Sequence, residues 1–182
     1  TNEDDALLAV ALGADAVGFI FAPSPRQIAP QRVFDITRRL PPEILTVGVF
    51  RDEAPSRVAE LVRTSGVKAA QLSGHETPEV TRAVKDQVRF VIQAFPAGSP
   101  GLARAAEHGA DVIMVDSPSP GSGLVFDWGL VDEAPQDARI LLAGVADVGG
   151  SDGRRVVLDS ADQLLGVGLV TAGQLQPEKV LA

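Results

Sequence analysis

The chain has 182 residues, 45% of them apolar and 22% charged, with a formal net charge of −8. That length suffices for one domain with a sizeable core, and the acidic balance excludes a general nucleic-acid or anionic-membrane binder, since both need a basic surface. No cysteine occurs, which excludes a disulfide, a thiolate metal site and a thiol nucleophile within these residues. With one Trp, no Tyr and seven Phe, the core must rest on Val, Leu, Ile and Ala. No apolar run approaches the roughly 18 residues of a membrane span, and no signal-peptide pattern is present. A cytoplasmic protein with no metal and no cofactor is the expectation.

In chain order, Asn2 reads as an N-cap, and Glu3, Asp4 and Asp5 form a first turn that suits the positive helix end. Ala6, Leu7, Val10 and Ala11 follow at helical spacing, and Gly13 ends the helix. Ala16 to Phe21 (AVGFIF) is a continuous apolar run of strand length, as in a parallel sheet covered on both faces. Pro30 to Leu40 is amphipathic and starts on proline. Ile44 to Phe50 is a strand, and Ala54 to Ser65 is a helix with Val58, Leu61 and Val62 on one face. Val67 to Leu72 is a strand. Thr77 caps a helix that runs to Asp86, with Pro78 at its first position and Glu79 behind it. Val88 to Phe95 is a strand, Gly101 to His108 a short helix, and Ala110 to Val115 a strand that ends at Asp116.

The rest is less regular. Ser117 to Gly123 is a loop rich in Pro, Ser and Gly, Phe126 to Val131 a short helix, and Arg139 to Ala143 a strand. Arg154 to Leu165 is mixed, with a helix after the turn Gly149-Gly150 as one option. Val167 to Ala172 is a last strand and Pro177 to Ala182 a last helical turn. Seven strands alternating with helices imply a parallel sheet with right-handed crossovers. A doubly wound open sheet and a (βα)₈ barrel both satisfy this. No G-x-G-x-x-G opening occurs, which weakens the first. Seven strands starting on a helix fit a barrel short by one strand. The expectation is a single α/β domain over residues 1–182, TIM-barrel-like, incomplete or open, with the first strand missing.

Several segments carry a resemblance: Thr1-Asn2-x-x-Asp5-Ala6-Leu7, Gly13 to Phe21 (GADAVGFIF), Ser24-Pro25-Arg26, Leu40-Pro41-Pro42, Val47-Gly48-Val49-Phe50, Gln71-Leu72-x-Gly74, Gly121-Ser122-Gly123 with Phe126-Asp127-Trp128, and Leu141-Leu142-Ala143-Gly144. Together they resemble the phosphoribosylanthranilate isomerase family over roughly the first 145 residues, and weakly after that. The resemblance implies an Amadori rearrangement of N-(5-phosphoribosyl)anthranilate in tryptophan biosynthesis. It takes an acid at the ribose ring oxygen and a base at the neighbouring carbon, at the C-terminal ends of the barrel strands.

By the same resemblance, Asp116 matches the general acid, and Arg26 and Gln71 match substrate-binding positions. Gly144 and Gly173 follow the last two strands, where the family presents backbone N–H groups to the substrate phosphate. The blander readings are a loop-capping carboxylate, a solvated arginine and two turn glycines. The implied partner is a small phosphorylated substrate.

The chain also departs from the family pattern. The family's first strand carries Lys-Ile-Cys-Gly, with the cysteine as base, whereas this sequence starts just after it and holds no displaced copy. Gln-Leu-His-Gly becomes Gln71-Leu72-Ser73-Gly74, and His75 is expected on the surface. Leu124 replaces the usual lysine, and Val145 to Gly150 replace the second glycine and the Asn-Pro helix start. Leu169 stands for an aspartate, and no glutamate follows Gly173. Isomerase activity is therefore expected to be weak or lost. The alternatives are a non-catalytic relic or small-ligand binding module, and a piece of a longer, ordinary enzyme. Without a first strand, GFIF and the final strand are expected to be open edges. An open or distorted barrel follows, with a homodimer through exposed strand edges as a serious option.

Overall fold

The computed structural model describes residues 2–116, 125–127, 133–135, 137–143, 145–147, 153–158, 164–171 and 174–180. They fall into two compact units. One comprises Thr1–Gln93 with His108–Asp111, the other Ala94–Glu107 with Val112–Ala182.

In the first unit helices and strands alternate: α1 (Glu3–Ala11), β1 (Ala16–Ile20), α2 (Pro30–Thr37), β2 (Leu45–Phe50), α3 (Pro55–Ser65), β3 (Ala69–Leu72), α4 (Pro78–Lys85) and β4 (Val91–Pro96), the last ending in the second unit. The helix starts follow local chemistry. The Asn2 side chain accepts the Asp5 N–H at 2.8 Å. Pro30, Pro55 and Pro78 open α2, α3 and α4, where a missing N–H costs nothing. Gly66 ends α3 in the left-handed region, φ 72°, with its N–H on the Val62 carbonyl.

β1 to β4 run parallel in sequence order. Phe19, Gly48, Ala70 and Val91 lie in register, as do Phe50, Leu72 and Gln93 one step further. These residues share the face covered by the helices. There Phe19, Phe50, Leu72 and Val91 pack with Val33, Ile36, Val58, Leu61 and Val84. The opposite face carries the row Ile20, Val49, Gln71, Ile92. Among the described residues β1 pairs with β2 alone, so the GFIF strand is an edge, as expected.

Gly48 has a packing reason. A Cβ there would lie 2.8 Å from a Phe21 ring carbon and 2.9 Å from one of Phe50. The two rings meet over it with centroids 5.3 Å apart. Gly48→Ala is expected to lower stability by about 1–3 kcal/mol through overpacking. Urea unfolding checks this, and an unchanged midpoint would refute the packing account.

In the second unit a 3₁₀ segment, Leu102–His108, stands where a short helix was expected; its last residue belongs to the first unit. β5 (Val112–Asp116) pairs in parallel with β7 (Ile140–Leu142), Ile113 opposite Ile140. A second apolar cluster joins Phe95, Leu102, Ala105, Ile113 and Val115. Six parallel strands, β1 to β5 and β7, thus carry the α/β, TIM-barrel-like part of the described chain.

The C-terminal part departs from the alternation. β6 (Val125–Asp127), β8 (Val145–Asp147), β9 (Gly153–Leu158), β10 (Leu164–Thr171) and β11 (Gln174–Val180) form a separate sheet in the order β6-β8-β11-β10-β9. The helix expected from Phe126 begins instead as a strand; residues 128–131 lie outside the described residues. The Arg154 to Leu165 stretch is strand at both ends, in keeping with the β-branched pair Val156-Val157. The helical turn expected from Pro177 is part of β11.

The expected last parallel strand pairs antiparallel on both sides, with β9 and β11, so it is not an open edge. The reason is chain length. Thr171 pairs with Gln174, and the two residues between them suffice for a hairpin, whereas a parallel return needs about a dozen. Pro177, which cannot donate to a ladder, faces Gly168 beside a register shift. Among the described residues no helix is long and apolar enough to cross a membrane.

Candidate functional site

Parallel strands of this class carry their chemistry at the C-terminal ends. After β1 the chain makes a tight turn. The Arg26 N–H meets Ser24 Oγ at 3.1 Å, and the Gln27 N–H meets the Ser24 carbonyl at 3.0 Å. Gln27 Nε2 then donates to the Phe21 carbonyl at 2.8 Å, and the Ile28 N–H to that of Ile20 at 3.0 Å. Arg26 is exposed and lines a cavity of about 200 Å³ with Asn2, Asp5, Gly18, Ile20 and Ile28. Whole-ligand pockets hold roughly 300–1,000 Å³, so this one is smaller than a pocket for a whole ligand. Gln71 does not line it.

Gln71, half-buried on β3, gives its side-chain N–H to Ser73 Oγ at 2.9 Å. The turn that follows is locked to the turn after β2. Glu76, 8% exposed, accepts the Asp52 N–H at 2.9 Å and the Gly74 N–H at 2.8 Å. Asp52 in turn accepts the His75 N–H at 2.5 Å. Two carboxylates therefore cross between the loops in opposite directions. Asp52 sits at φ 53°, a left-handed conformation that Asp tolerates better than most residues. A Cβ on Gly74 would lie 2.4 Å from Asp52 Oδ1 and 2.6 Å from its backbone nitrogen, so only glycine fits.

His75 itself is 85% exposed, with Nδ1 3.2 Å from Asp52 Oδ2, a surface residue as expected. Its backbone N–H is the main reason the Asp52 carboxyl titrates below its ordinary 3.8. Because the folded-state value is depressed, the contribution of the Asp52 carboxylate's bonds is present above pH 3.8 and is lost only as pH falls through the lower folded value. The Asp52 side-chain carboxyl resonance is expected to titrate with its midpoint below 3.8; a midpoint at or above that would contradict the assignment.

Beneath the clasp lies a buried polar chain. Gln93, 1% exposed, donates to Glu76 Oε2 at 3.4 Å and to the Leu72 carbonyl at 3.3 Å. Thr81, fully buried, donates to Gln93 Oε1 at 2.8 Å and lies 3.0 Å from Nδ1 of His108, which is 8% exposed. Each group has a partner, as burial demands.

In the second unit Asp116 is the last residue of β5, half-buried after four buried residues. Its carbonyl receives the Ala97 N–H at 2.8 Å, which joins this strand end to the end of β4. Gly144 and Gly173 lie outside the described residues, as do Gly121 to Leu124 and Trp128. Among the described residues no cluster of three or more His, Asp or Glu could hold a metal ion.

A family model described as N-(5'-phosphoribosyl)anthranilate isomerase matches residues 1–148. The chain belongs to the phosphoribosylanthranilate isomerase family. The isomerase of Desulforudis audaxviator is 38% identical, over 99% of this chain and 90% of its own. The crystal structure of the isomerase from Thermus thermophilus superposes with a TM-score of 0.73 at 40% identity, over 79% of this chain and 72% of that one. A phosphoribosylanthranilate isomerase solved with reduced 1-(o-carboxyphenylamino)-1-deoxyribulose 5-phosphate superposes with a TM-score of 0.67 at 32% identity, over 84% and 73%.

Three groups in this member of the family escaped sequence reasoning: Glu76, Asp52 and His108. Glu76 directly precedes the Thr77-Pro78 helix start, where an acid is readily taken as a dipole partner. Asp52 carries no motif at all. Only the meeting of two loops gives either residue a role.

Proposed function

We propose that the chain carries a site for the isomerisation of N-(5-phosphoribosyl)anthranilate in tryptophan biosynthesis, with Asp116 as general acid. The observation that carries this reading is the place of Asp116: a half-buried carboxyl at the C-terminal end of a buried parallel strand. The acid gives its proton to the ribose ring oxygen as the ring opens to an iminium. A base then takes the proton from the neighbouring carbon, and the resulting enol-amine becomes the ketone. Arg26 pairs with the anthranilate carboxylate, Gln71 adds a neutral hydrogen bond, and backbone N–H groups near Gly144 and Gly173 take the phosphate. The compound bound in the related structure carries both a carboxyl and a phosphate, which supports this division of labour.

No thiol occurs among the 182 residues. A cysteine base would have to come from outside them. A general base is worth about 10²–10⁴-fold, so weak activity is assigned to these residues on their own. A second reading, a small-ligand binding module, draws on Ser73 in place of the family's histidine and on the antiparallel pairing of Thr171 with Gln174.

Complementation of a tryptophan auxotroph separates the readings. Growth that Asp116→Asn abolishes supports the isomerase. No growth, with the reduced substrate analogue still bound in calorimetry, supports the binding module. Growth indifferent to Asp116 sinks the acid assignment. Pairing of two copies is assigned to β1, an end strand of the six-stranded sheet. Light scattering should then give twice the chain mass, and a monomer at high concentration would refute it.

A further inference from the structure

We propose that Glu76 is a positioning residue for the ligand: it ties the turn after β2 to the turn after β3 and thereby aims Gln71. The inference rests on the substrate-binding role given to Gln71 above.

The connection is short and continuous. Gln71 Nε2 is held by Ser73 Oγ at 2.9 Å. Ser73 is anchored by its own N–H on the Phe50 carbonyl, also at 2.9 Å. The next residue, Gly74, gives its N–H to Glu76 Oε2, while Glu76 Oε1 takes the Asp52 N–H from the other loop. One buried carboxylate thus fixes the backbone on both sides of the gap between β2 and β3. It is itself held from below by Gln93.

A carboxylate is the side chain this job requires. Two N–H donors converge on its two oxygens, one on each. An amide of the same shape would turn an NH₂ toward one of them and leave a donor unsatisfied. Hydrogen bonds to a charged acceptor are also among the stronger ones. Asp52 returns the clasp through His75, and Gly74 leaves room for Asp52 to approach. The arrangement holds the loops rigidly without placing Glu76 at the solvent-facing mouth, since it is 8% exposed.

The test uses the full chain and the reduced analogue, 1-(o-carboxyphenylamino)-1-deoxyribulose 5-phosphate, as probe. Glu76→Gln is expected to raise the probe's Kd about tenfold, the scale of one lost charge-assisted hydrogen bond. Gly74→Ala, which breaks the clasp from the opposite side, should do the same. Amide exchange at Asp52 and Gly74 should quicken in both variants. The control is Lys85→Met, which removes the ion pair with Asp111 at the far end of α4. It should lower the melting temperature and leave Kd unchanged. If the control weakens binding as much as Glu76→Gln does, the effect is general destabilisation and the proposal falls. It falls equally if exchange quickens while Kd stays put, because the clasp is then purely structural. Failure of the unaltered chain to bind the probe refutes the site reading itself, and with it the role of Glu76. Binding that is equal in all variants refutes the positioning role alone.

Discussion

Asp116→Asn is expected to lower isomerase turnover by about 10²–10⁴-fold, the usual worth of a positioned proton donor, while the melting temperature moves by only a few degrees. The substitution keeps the shape of the side chain and the backbone bond from Ala97 to the residue 116 carbonyl. It removes a transferable proton. The loss should fall on kcat more than on KM, because the proton is needed in the transition state and not for binding. Steady-state kinetics on the two proteins, with thermal unfolding as control, decide the matter. Turnover unaffected by the change would remove Asp116 from the mechanism. A rise in KM alone would make it a binding group.

The largest expected loss of stability belongs to Phe50→Ala, at about 3–5 kcal/mol. Phe50 ends β2, is 1% exposed, and packs with Phe21 over Gly48. Typical domains are stable by about 5–15 kcal/mol, so the variant should be near the limit of folding. Urea denaturation gives the number, and a loss below about 1 kcal/mol would mean that the site collapses to fill the gap. Gly48→Ala and Phe50→Ala should not add, because the ring removed by the second is one of the two that clash in the first. A double-mutant cycle should show the combined loss to be smaller than the sum.

Much of the first unit was legible in the sequence. Asn2, Pro30, Pro55 and Pro78 mark helix starts by local hydrogen bonding and by the fixed proline φ. The apolar runs at Ala16 to Phe21 and Ile44 to Phe50 mark strands; β2 is largely buried, whereas β1, at the sheet edge, leaves Ala16 and Gly18 exposed, so the expected cover on both faces fails there. These signals are local, so no tertiary contact is needed to make them. Asp116 could likewise be placed at a strand end, since the run ADVIMV stops there.

The C-terminal sheet was not legible. Val167 to Ala172 and Pro177 to Ala182 read as a strand and a helical turn when each is taken alone. Only their pairing, Thr171 against Gln174 and Pro177 against Gly168, makes them a hairpin. Strand pairing is a choice between partners, and a single segment does not carry it.

Glu76 shows the same division at the candidate site. By itself the sequence determines an acidic residue in front of a capped helix, an α/β alternation, and the family. The tertiary structure alone decided that this acid is buried and that its two oxygens hold backbone N–H groups from two different loops. The physical reason is range. Caps, prolines and apolar runs act within a few residues, whereas Asp52 and Glu76 are separated by 24 positions and meet only because β2 and β3 lie side by side.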